Sequence, residues 1–409
     1  MNEDQDLNIL APREMKPKFD YLQREVEHAA GRPVGRRQAL GLGGMAIFAA
    51  AVAGCGKATT STNASTTGNS LTTKHLENHL EIYNWSEYDD ASTFTKFAKL
   101  PAEAKAGMTV HETFYSSNDE LLAKLHAGGT GYDIIVPSQN AVAELIAEQS
   151  LMALDKALLP NLKYLDPSFL KPSYDPTGAY HVIKDFGITM FFYNNKIVKE
   201  PLSTMHDFYE ALPRYGSKGR TNLLDGAEEV VPLALMALGI DPNTDSQTDF
   251  STVKSFLLSV RKGVTTIDSS GYINDAIAGK IILSQGWNGD VRRIVQGRAK
   301  QGDITAVIPH EASEIWADNW CIPKNAPHPV AAHAWINWLL TPSTAVTEMN
   351  YHNYKIPMPS ALAQLPSALQ NDPMFNVPKS YTDNYHYILN VSPAVVESRT
   401  QIYSEFKAA

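Results

Sequence analysis

The sequence predicts an α/β protein of two lobes, and this prediction rests on chain length, apolar content and the alternation of short strands with helices. At 409 residues, the chain is too long for one compact core and fits two lobes of ordinary size. Its hydrophobic content of 44% can bury enough surface to offset chain entropy, which excludes disorder over most of the length. From His79 onward strand and helix patterns alternate, and ligands of α/β lobes bind beyond the carboxyl ends of the strands.

Apolar runs locate the individual elements. Residues 80–83 are apolar at alternate positions, and residues 133–137 contain a continuous apolar run stopped by proline, as in a buried parallel strand. A helix is predicted from Asn118, because polar capping residues there precede leucines that share one helical face. Further strands are predicted at 189–193, 281–284 and 304–308, and further helices near 228–238, 250–261, 290–298 and 328–340.

The charge balance favours a cationic ligand. The chain has 35 Lys+Arg against 44 Asp+Glu, a net charge of −9, whereas nucleic-acid binding requires a basic face. It has only two cysteines and neither a CxxC nor an HExxH motif, which argues against classical zinc sites and redox dithiols. We therefore predict no metal, no cofactor and no nucleic acid as partner, and Cys321 is predicted to be a core residue.

Residues 1–54 have the three zones of an export signal. A polar segment precedes the paired Arg36 and Arg37, an uncharged run rich in Ala and Gly follows, and small residues lead to Cys55. This arrangement resembles a twin-arginine signal ending in a lipoprotein cleavage site. The alternative is a short transmembrane anchor, but the 17 residues from Gln38 to Gly54 make a poor spanning helix.

Cleavage before Cys55 would leave that residue as the lipid attachment site. Residues 58–73 are almost entirely Thr, Ser, Ala, Gly and Asn without apolar periodicity, so residues 55–78 are predicted to form a flexible tether. We therefore predict an exported protein, periplasmic or on the cell surface, that is held at the outer face of the cytoplasmic membrane by the lipid on Cys55.

Tryptophans and carboxylates occur together where several predicted strands end. Ring faces attract ammonium groups and pack on methylenes, and carboxylates accept their N–H donors, so this combination suits an organic cation with an apolar stem. A single tryptophan is more often packing and a single carboxylate is usually solvated, but recurrence after separate strands favours a binding site. The segments are Asn84-Trp85-Ser86-Glu87-Tyr88, Glu228-Glu229, Gly286-Trp287-Asn288-Gly289-Asp290 and Ile315-Trp316-Ala317-Asp318-Asn319-Trp320.

Five landmarks in the sequence occur in the order of one known family. They are Tyr83-Asn84-Trp85-Ser86-Glu87-Tyr88, Tyr132-Asp133-Ile134-Ile135-Val136-Pro137-Ser138, Gly286-Trp287-Asn288-Gly289-Asp290, Trp316-Ala317-Asp318, and Tyr354 with Pro357 and Pro359. Residues 80 to about 406 resemble the periplasmic polyamine-binding proteins, the spermidine and putrescine receptors of ABC importers. The resemblance implies a two-lobed periplasmic-binding-protein fold with a ligand cleft between lobes and hinge crossings near 187, 312 and 357.

The same resemblance implies the lobe limits and the ligand contacts. The first lobe would comprise 79–187 and 313–357, and the second 188–312 and 358–409. Trp287 would pack on a methylene chain, while Glu229, Asp290 and Asp318 would face amines; Glu87 by itself could equally be a solvated side chain. The implied ligand-binding residues are Trp85, Ser86, Glu87, Tyr88, Ser138, Glu229, Trp287, Asp290, Trp316, Asp318 and Tyr354.

Two departures from the spermidine-type pattern bear on the ligand. The acidic residue expected three positions before Glu229 is Gly226 here, and the aromatic residue expected two positions after Ser138 is Asn140. Losing a carboxylate should weaken recognition of an additional ammonium, so we predict a putrescine-like diamine over spermidine. The neighbouring Asp225 could partly compensate, or could simply cap the following helix.

Two other functions remain open at this stage. The same fold could bind another small cationic or neutral solute, or carboxylates beside aromatic platforms could belong to an exported glycoside hydrolase. The chain has no G-x-S-x-G, no metal-ligand spacing and, outside the signal, no glycine-rich phosphate loop, so we predict that it is not an enzyme. The implied partner is the permease of an ABC transporter, and the protein is expected to be monomeric. Five histidines, at positions 181, 310, 328, 333 and 352, are predicted to lie on surface loops.

Overall fold

The computed structural model describes residues 71–129 and 131–409. The predicted export signal (1–54), Cys55 and most of the predicted tether (55–78) lie outside these residues. None of the helices in the described part of the chain is long and apolar enough to cross a membrane.

The described residues form nine strands and fifteen α-helices. The strands are β1 His79–Trp85, β2 Thr109–Tyr115, β3 Ile134–Ile135, β4 His181–Asn194, β5 Arg220–Leu223, β6 Thr266–Ile267, β7 Ile281–Trp287, β8 Ile304–Val307 and β9 Ile315–Cys321. The helices are α1 Ala91–Ala98, α2 Pro101–Ala106, α3 Asn118–His126, α4 Gln139–Ala147, α5 Met205–Tyr215, α6 Ala227–Ala237, α7 Gln247–Val260, α8 Tyr272–Ile277, α9 Asn288–Gly297, α10 Pro329–Leu339, α11 Pro342–His352, α12 Pro359–Leu362, α13 Ser367–Gln370, α14 Lys379–Thr382 and α15 Pro393–Ala408.

Strand β4 joins two groups of strands. Its first part, up to Ile188, pairs antiparallel with β9, while the part from Thr189 onward pairs antiparallel with β7 and β8. The strand order is β2-β1-β3-β9-β4-β7-β5-β6, with β8 attached to β4. The predicted α/β class and two-lobed fold are confirmed, and β4 changes partners next to the crossing predicted near 187.

Close packing at this change of partners depends on a glycine. A Cβ atom at Gly187 would lie 2.2 Å from Asn288 Oδ1 and 2.4 Å from the ring of Trp316. Glycine in a strand interior often marks such a close approach. At this position it brings β4 against β9 and the start of α9, both of which carry residues of the predicted site.

Each group of strands has its own hydrophobic core. Leu80, Ile82 and Ile134 pack with Trp335 of α10 in the first core. The second core, on the other side of β4, contains Phe191, Phe208, Leu223 and Phe406, among other residues of α5, α6, α7 and α15. Cys321 is fully buried and free, as predicted.

The last part of the chain contributes to more than one core. The side chains of Met358, Leu365, Leu369 and Phe375 are buried in the first core, although this segment was assigned to the second lobe. From Met374 onward, side chains such as Tyr385 pack in the core that contains Ile188 and Phe192. The predicted crossing near 357 and the lobe limits stay predictions.

Candidate functional site

A single cavity contains all eleven residues predicted to bind ligand. It encloses about 760 Å³, part of which is open to solvent, and it is lined from both sides of β4. The lining segments follow β1, β3 and β7, begin α6 and α9, and include the first half of β9. The structure therefore brings the predicted residues together, while their contact with a ligand stays a prediction.

Helices α4, α6 and α9 begin at this cavity. The N-terminal caps are Ser138 for α4, Gly226 for α6 and Trp287 for α9. Carboxylates are favoured in the first turn of a helix, where they offset the positive end of the helix dipole. Glu229 lies in the first turn of α6 and Asp290 in that of α9, so local helix structure helps to place both carboxylates in the cavity.

Aromatic rings form much of the apolar lining. The rings of Trp85 and Trp287 are 6.0 Å apart at 70°, and those of Trp316 and Tyr354 are 5.0 Å apart at 76°. Trp85 is oriented by its indole N–H, which donates to the Val136 carbonyl at 2.9 Å. These edge-to-face contacts hold flat apolar surfaces against the cavity.

The carboxylates of the cavity fall into two groups that differ in their partners. We call Glu87, Asp290 and their neighbour Arg293 the Asp290 group. Asp290 accepts a hydrogen bond from the Tyr272 hydroxyl at 2.8 Å, and Arg293 Nη1 lies 4.0 Å from its other oxygen. Burial raises the pKa of Asp290, while Tyr354, Arg293 and Tyr272 oppose that increase.

Glu87 lines the cavity but already has polar partners. Its carboxylate accepts from Arg293 Nη2 at 3.1 Å and from Asn274 Nδ2 at 3.0 Å. Its backbone has a φ of 56°, in the left-handed region, which is uncommon for a residue other than glycine. The predicted alternatives for Glu87 were an amine contact or a solvated side chain, and the structure adds an ion pair with α9.

The remaining carboxylates, Glu228, Glu229, Glu314 and Asp318, are called the Glu314 group. Asp318 accepts from the Tyr88 hydroxyl at 2.7 Å and from Ser138 Oγ at 2.6 Å. Burial raises the pKa of Asp318 to about 7, and the negative charge of Asp185 adds to the increase. Glu228 instead forms an ion pair with Arg399 of α15.

Glu314 is buried, Glu229 is partly exposed, and both have few donors. Glu314 accepts from the Thr189 hydroxyl at 2.8 Å, and one buried oxygen of Glu229, Oε2, finds no donor among the described residues. Burial, reinforced by the charge of Asp318, raises the pKa of Glu314 to about 8. Burial also raises the pKa of Glu229 well above its usual value, and Glu314 is the strongest neighbouring charge in the same direction.

A buried polar network lies behind Asp318. The Tyr88 hydroxyl lies within hydrogen-bond distance of both Asp318 and Asp185 but has one hydrogen to donate. When both contacts are made, one of the two carboxyls must therefore hold a proton and donate it to the Tyr88 oxygen. Lys184 lies 3.1 Å from Asp89 and 3.4 Å from Asp185, with its ammonium 3.8 Å from the centre of the Tyr88 ring. The network fixes Tyr88 and, through it, Asp318.

Three of the five histidines are not on surface loops, and that prediction was wrong for them. His181, His333 and His352 are buried. His181 pairs with Asp175 at 2.8 Å, and burial lowers the pKa of His352 well below its usual value, while its Nε2 lies 3.5 Å from Asp185. These histidines can be buried because they form hydrogen bonds within the protein, and the local sequence does not reveal such bonds.

Sequence reasoning missed several residues of the site. Glu314 precedes the recognised Ile315-Trp316 segment and was not selected; Glu228 was noted only as a neighbour of Glu229. The orienting residues Tyr272 and Arg293 gave no local signal, because their contacts with Asp290 and Glu87 arise from tertiary packing. Glu314 could have been selected from the sequence, because its carboxylate lies two residues before Trp316, which was already assigned to the site.

The lining chemistry favours a cation. Six carboxylates line the cavity, whereas none of its described lining residues is Lys, Arg, His or Cys. Among the described residues, the spacing needed to hold a metal ion occurs at His126, Glu144 and Glu148, which do not line the cavity. Aromatic faces with acceptor groups suit a ligand that offers N–H donors on an apolar chain.

Comparison with known proteins identifies the family. A family model described as bacterial extracellular solute-binding protein matches residues 93–377, more than half of the chain. The chain belongs to the bacterial extracellular solute-binding proteins. Membership of this family indicates a solute-binding role, and the two-lobed fold agrees with it.

Relatives of this solute-binding protein carry names that specify polyamines. Spermidine/putrescine-binding periplasmic protein 1 of Haemophilus influenzae is 30% identical over 331 residues, covering 80% of this chain and 88% of the relative. The putrescine-binding periplasmic protein PotF of Escherichia coli is 30% identical over 345 residues, covering 80% and 91%. A solved structure from Listeria monocytogenes, described as a candidate spermidine/putrescine ABC transporter, has 29% identity and a TM-score of 0.75, covering 81% of this chain and 99% of that one.

Proposed function

We propose that this protein is the extracytoplasmic receptor of an ABC importer and that it captures a polyamine, with a putrescine-like diamine preferred over spermidine. The observation that carries the proposal is the combination of six carboxylates with aromatic side chains, among them Trp85, Trp287, Trp316 and Tyr354, in a cavity without a basic residue among its described lining residues. The names of the relatives support the same ligand class.

The proposed contacts divide the ligand into charged ends and an apolar middle. Trp287 and Trp85 pack on the methylene chain, with Trp316 and Tyr354 completing the aromatic enclosure. Asp290 receives one ammonium group. Asp318 and Glu229 receive the other, and Ser86, Tyr88 and Ser138 shape that end of the site.

The energetics are sufficient for a tight receptor. A hydrogen bond to a charged group contributes roughly 1.5–3 kcal/mol, and a desolvated cation–aromatic contact contributes up to about 2 kcal/mol. Micromolar affinity requires only about −8 kcal/mol, so a few such contacts offset desolvation of the ammonium groups. Because residues from both sides of β4 line the cavity, a bound ligand can also shift the open–closed equilibrium of the lobes.

Gly226 supports the preference for a diamine. Its φ of 120° is a conformation that residues with a Cβ rarely adopt, so an acidic side chain is disfavoured here by the backbone as well as absent from the sequence. Asp225, which could have compensated, accepts a hydrogen bond from the Tyr403 hydroxyl. The cavity therefore has fewer carboxylates available at this position than the spermidine-type pattern would supply.

Three further proposals concern the whole protein. We propose that a lipid on Cys55 holds it at the outer face of the membrane, that it works as a monomer, and that the membrane permease of the importer is its partner. The export signal and the −9 charge balance support an exported receptor for cations.

Calorimetric titration of ligand-free protein tests the proposed function. We expect saturable one-to-one binding of putrescine and cadaverine, with weaker binding of spermidine and no binding of a neutral sugar. If the protein binds only choline or only arginine, its ligand is another cation and not a polyamine. Folded protein that binds none of these compounds would overturn the polyamine proposal.

A further inference from the structure

We propose that Glu314 and Glu229 form a carboxyl pair that shares one proton in the ligand-free protein and releases it when an ammonium group binds between them. Glu314 is then a specificity-determining residue that makes amine capture dependent on pH. This inference rests on the proposed function, because it assigns a charge-balancing role to part of that site.

The geometry of the pair carries the inference. Both side chains line the cavity. The Thr189 hydroxyl donates a hydrogen bond to only one of the two carboxylate oxygens of Glu314. Glu229 Oε2 is buried without a donor among the described residues, and the Glu229 carboxyl is the other hydrogen-bonding group at Glu314. Two carboxyls can bond to each other only if one of them carries a proton. Two buried carboxyls sharing a site cannot both ionise easily, because each like charge disfavours the other.

The groups that face the pair do not remove this conflict. On α6, Glu228 adds negative charge, and its partner Arg399 from α15 is occupied by that ion pair. Asp318 of β9 also adds negative charge. The loop that flanks Glu314 contributes backbone contacts through His386, whose side chain is exposed. The other titratable groups close to the pair are Asp119 of α3 and Tyr209 of α5, with Asp185 and Lys184 behind Asp318.

The proton balance follows from these contacts. In the ligand-free protein the pair holds one proton and one negative charge. When the ammonium enters, the O–H bond of the protonated carboxyl breaks, the proton passes to solvent, and two carboxylates remain beside one positive charge. No bond of the ligand changes. Burial raises the pKa of both carboxyls, that of Glu314 to about 8, so the pair stays protonated at neutral pH and loses a proton as the pH rises.

The sign of the pH dependence is therefore fixed. Below about pH 8 binding must displace the proton, so affinity for a diamine rises as pH increases from 6 to 8 and levels off above. One displaced proton gives at most about a tenfold change in affinity per pH unit. The contribution from Asp318, whose pKa is about 7, has the same sign and acts in the lower part of this range.

Calorimetric titration with putrescine in two buffers of different ionisation enthalpy counts the released protons. We expect the unmodified protein to release protons near pH 7 and few near pH 9. Glu314→Gln keeps the shape of the side chain but removes the carboxyl that shares the proton. We therefore expect proton release at pH 7 to fall by at least half and the dependence of affinity on pH to flatten. Glu311→Gln, which changes a glutamate three residues earlier and outside the cavity, should behave like the unmodified protein.

A second measurement needs no ligand. The carbonyl stretch of a protonated carboxyl, followed by infrared difference spectroscopy, should be present in ligand-free protein at pH 6–7, decrease as pH rises through about 8, and be reduced in Glu314→Gln. Putrescine binding without proton release, or equal release by Glu314→Gln, would overturn the inference and leave the receptor function intact. If the infrared band is present but the protein binds no amine, the receptor function is overturned and the proton-sharing pair is retained.

Discussion

The two carboxylate groups of the cavity differ in how their charge is balanced. In the Asp290 group, tyrosine hydroxyls and Arg293 already surround Asp290, and Glu87 pairs with the same arginine. In the Glu314 group, the only ion pair is that of Glu228 with Arg399, and Glu229, Glu314 and Asp318 lie close together without a cation among the described residues that line the cavity.

This difference separates two ways of receiving an ammonium group. Asp290 is held in position by partners that remain in place, so it provides a geometrically fixed anchor whose charge depends little on the ligand. In the Glu314 group, like charges at short range disfavour ionisation, so the proposed pair holds a proton when no ligand is bound. An arriving cation replaces that proton, which makes binding to this group dependent on pH.

The largest expected effect is on the Glu314 group. Asp318→Asn removes the carboxylate that Tyr88 and Ser138 hold, and a buried bond to a charged group contributes about 1.5–3 kcal/mol, so putrescine affinity at pH 8 should fall by roughly 10- to 150-fold. Isothermal titration measures the loss. Asp245→Asn changes an exposed aspartate away from the cavity and serves as the control. Normal binding by Asp318→Asn would place the amine elsewhere.

Asp290→Asn should weaken binding by about tenfold, toward the lower end of that range. The remaining hydrogen bond from Tyr272 still fixes the side chain. Arg293 would lose one of its negatively charged neighbours but keep Glu87. Because this substitution leaves the Glu314 group intact, the slope of affinity against pH should match that of unmodified protein. A flattened slope in Asp290→Asn would contradict the division into two groups.

The fold was predictable to the extent that elements are marked by continuous apolar runs. The predicted strands at 189–193, 281–284 and 304–308 lie within or overlap β4, β7 and β8, and the predicted helices overlap α6, α7, α9 and α10. The first half of β4 was missed because Lys184 and Asp185 interrupt its apolar pattern. These charges are tolerated because they pair with each other, with Asp89 and with Tyr88.

The site was predictable where residue type and position along a strand suffice. Strand β9 was not recognised, since Asp318 and Asn319 at its centre are typical of a loop; both are buried and hydrogen-bonded here. Its alignment beside β4 is what brings Glu314 into the cavity, and strand pairing of this kind is a tertiary event. For the same reason, the Arg293 contact with Glu87 joins segments 206 positions apart and has no local sequence signal.

The stability of ligand-free protein should fall as pH rises from about 5 to 8. Glu314 has a folded-state pKa of about 8, above its unfolded value of 4.5, so the folded state binds the proton more tightly and loses that advantage as the pH increases. Each such proton contributes at most about 1.4 kcal/mol per pH unit. Thermal melts across this range measure the effect.

Glu314→Gln should reduce this pH dependence, and saturating putrescine should raise the melting temperature more at pH 8 than at pH 6. A matched series on Glu311→Gln should retain the dependence of unmodified protein. Equal pH dependence in the two variants would assign the effect to other groups of the protein, such as the partly exposed Glu112 and the buried Glu348, whose pKa values desolvation also raises to about 8.

The smallest expected effect is that of Glu87→Gln. The pair with Arg293 is partly exposed, and ion pairs of this kind contribute about 0.2–1 kcal/mol, so putrescine affinity should change by less than about fivefold. The predicted role of Glu87 as an amine contact requires a larger loss, because removing its charge would then remove an ammonium partner. Titration of Glu87→Gln beside Asp290→Asn decides between these roles: a loss that equals or exceeds that of Asp290→Asn would make Glu87 a second anchor within the Asp290 group, and a small loss leaves Arg293 as its partner.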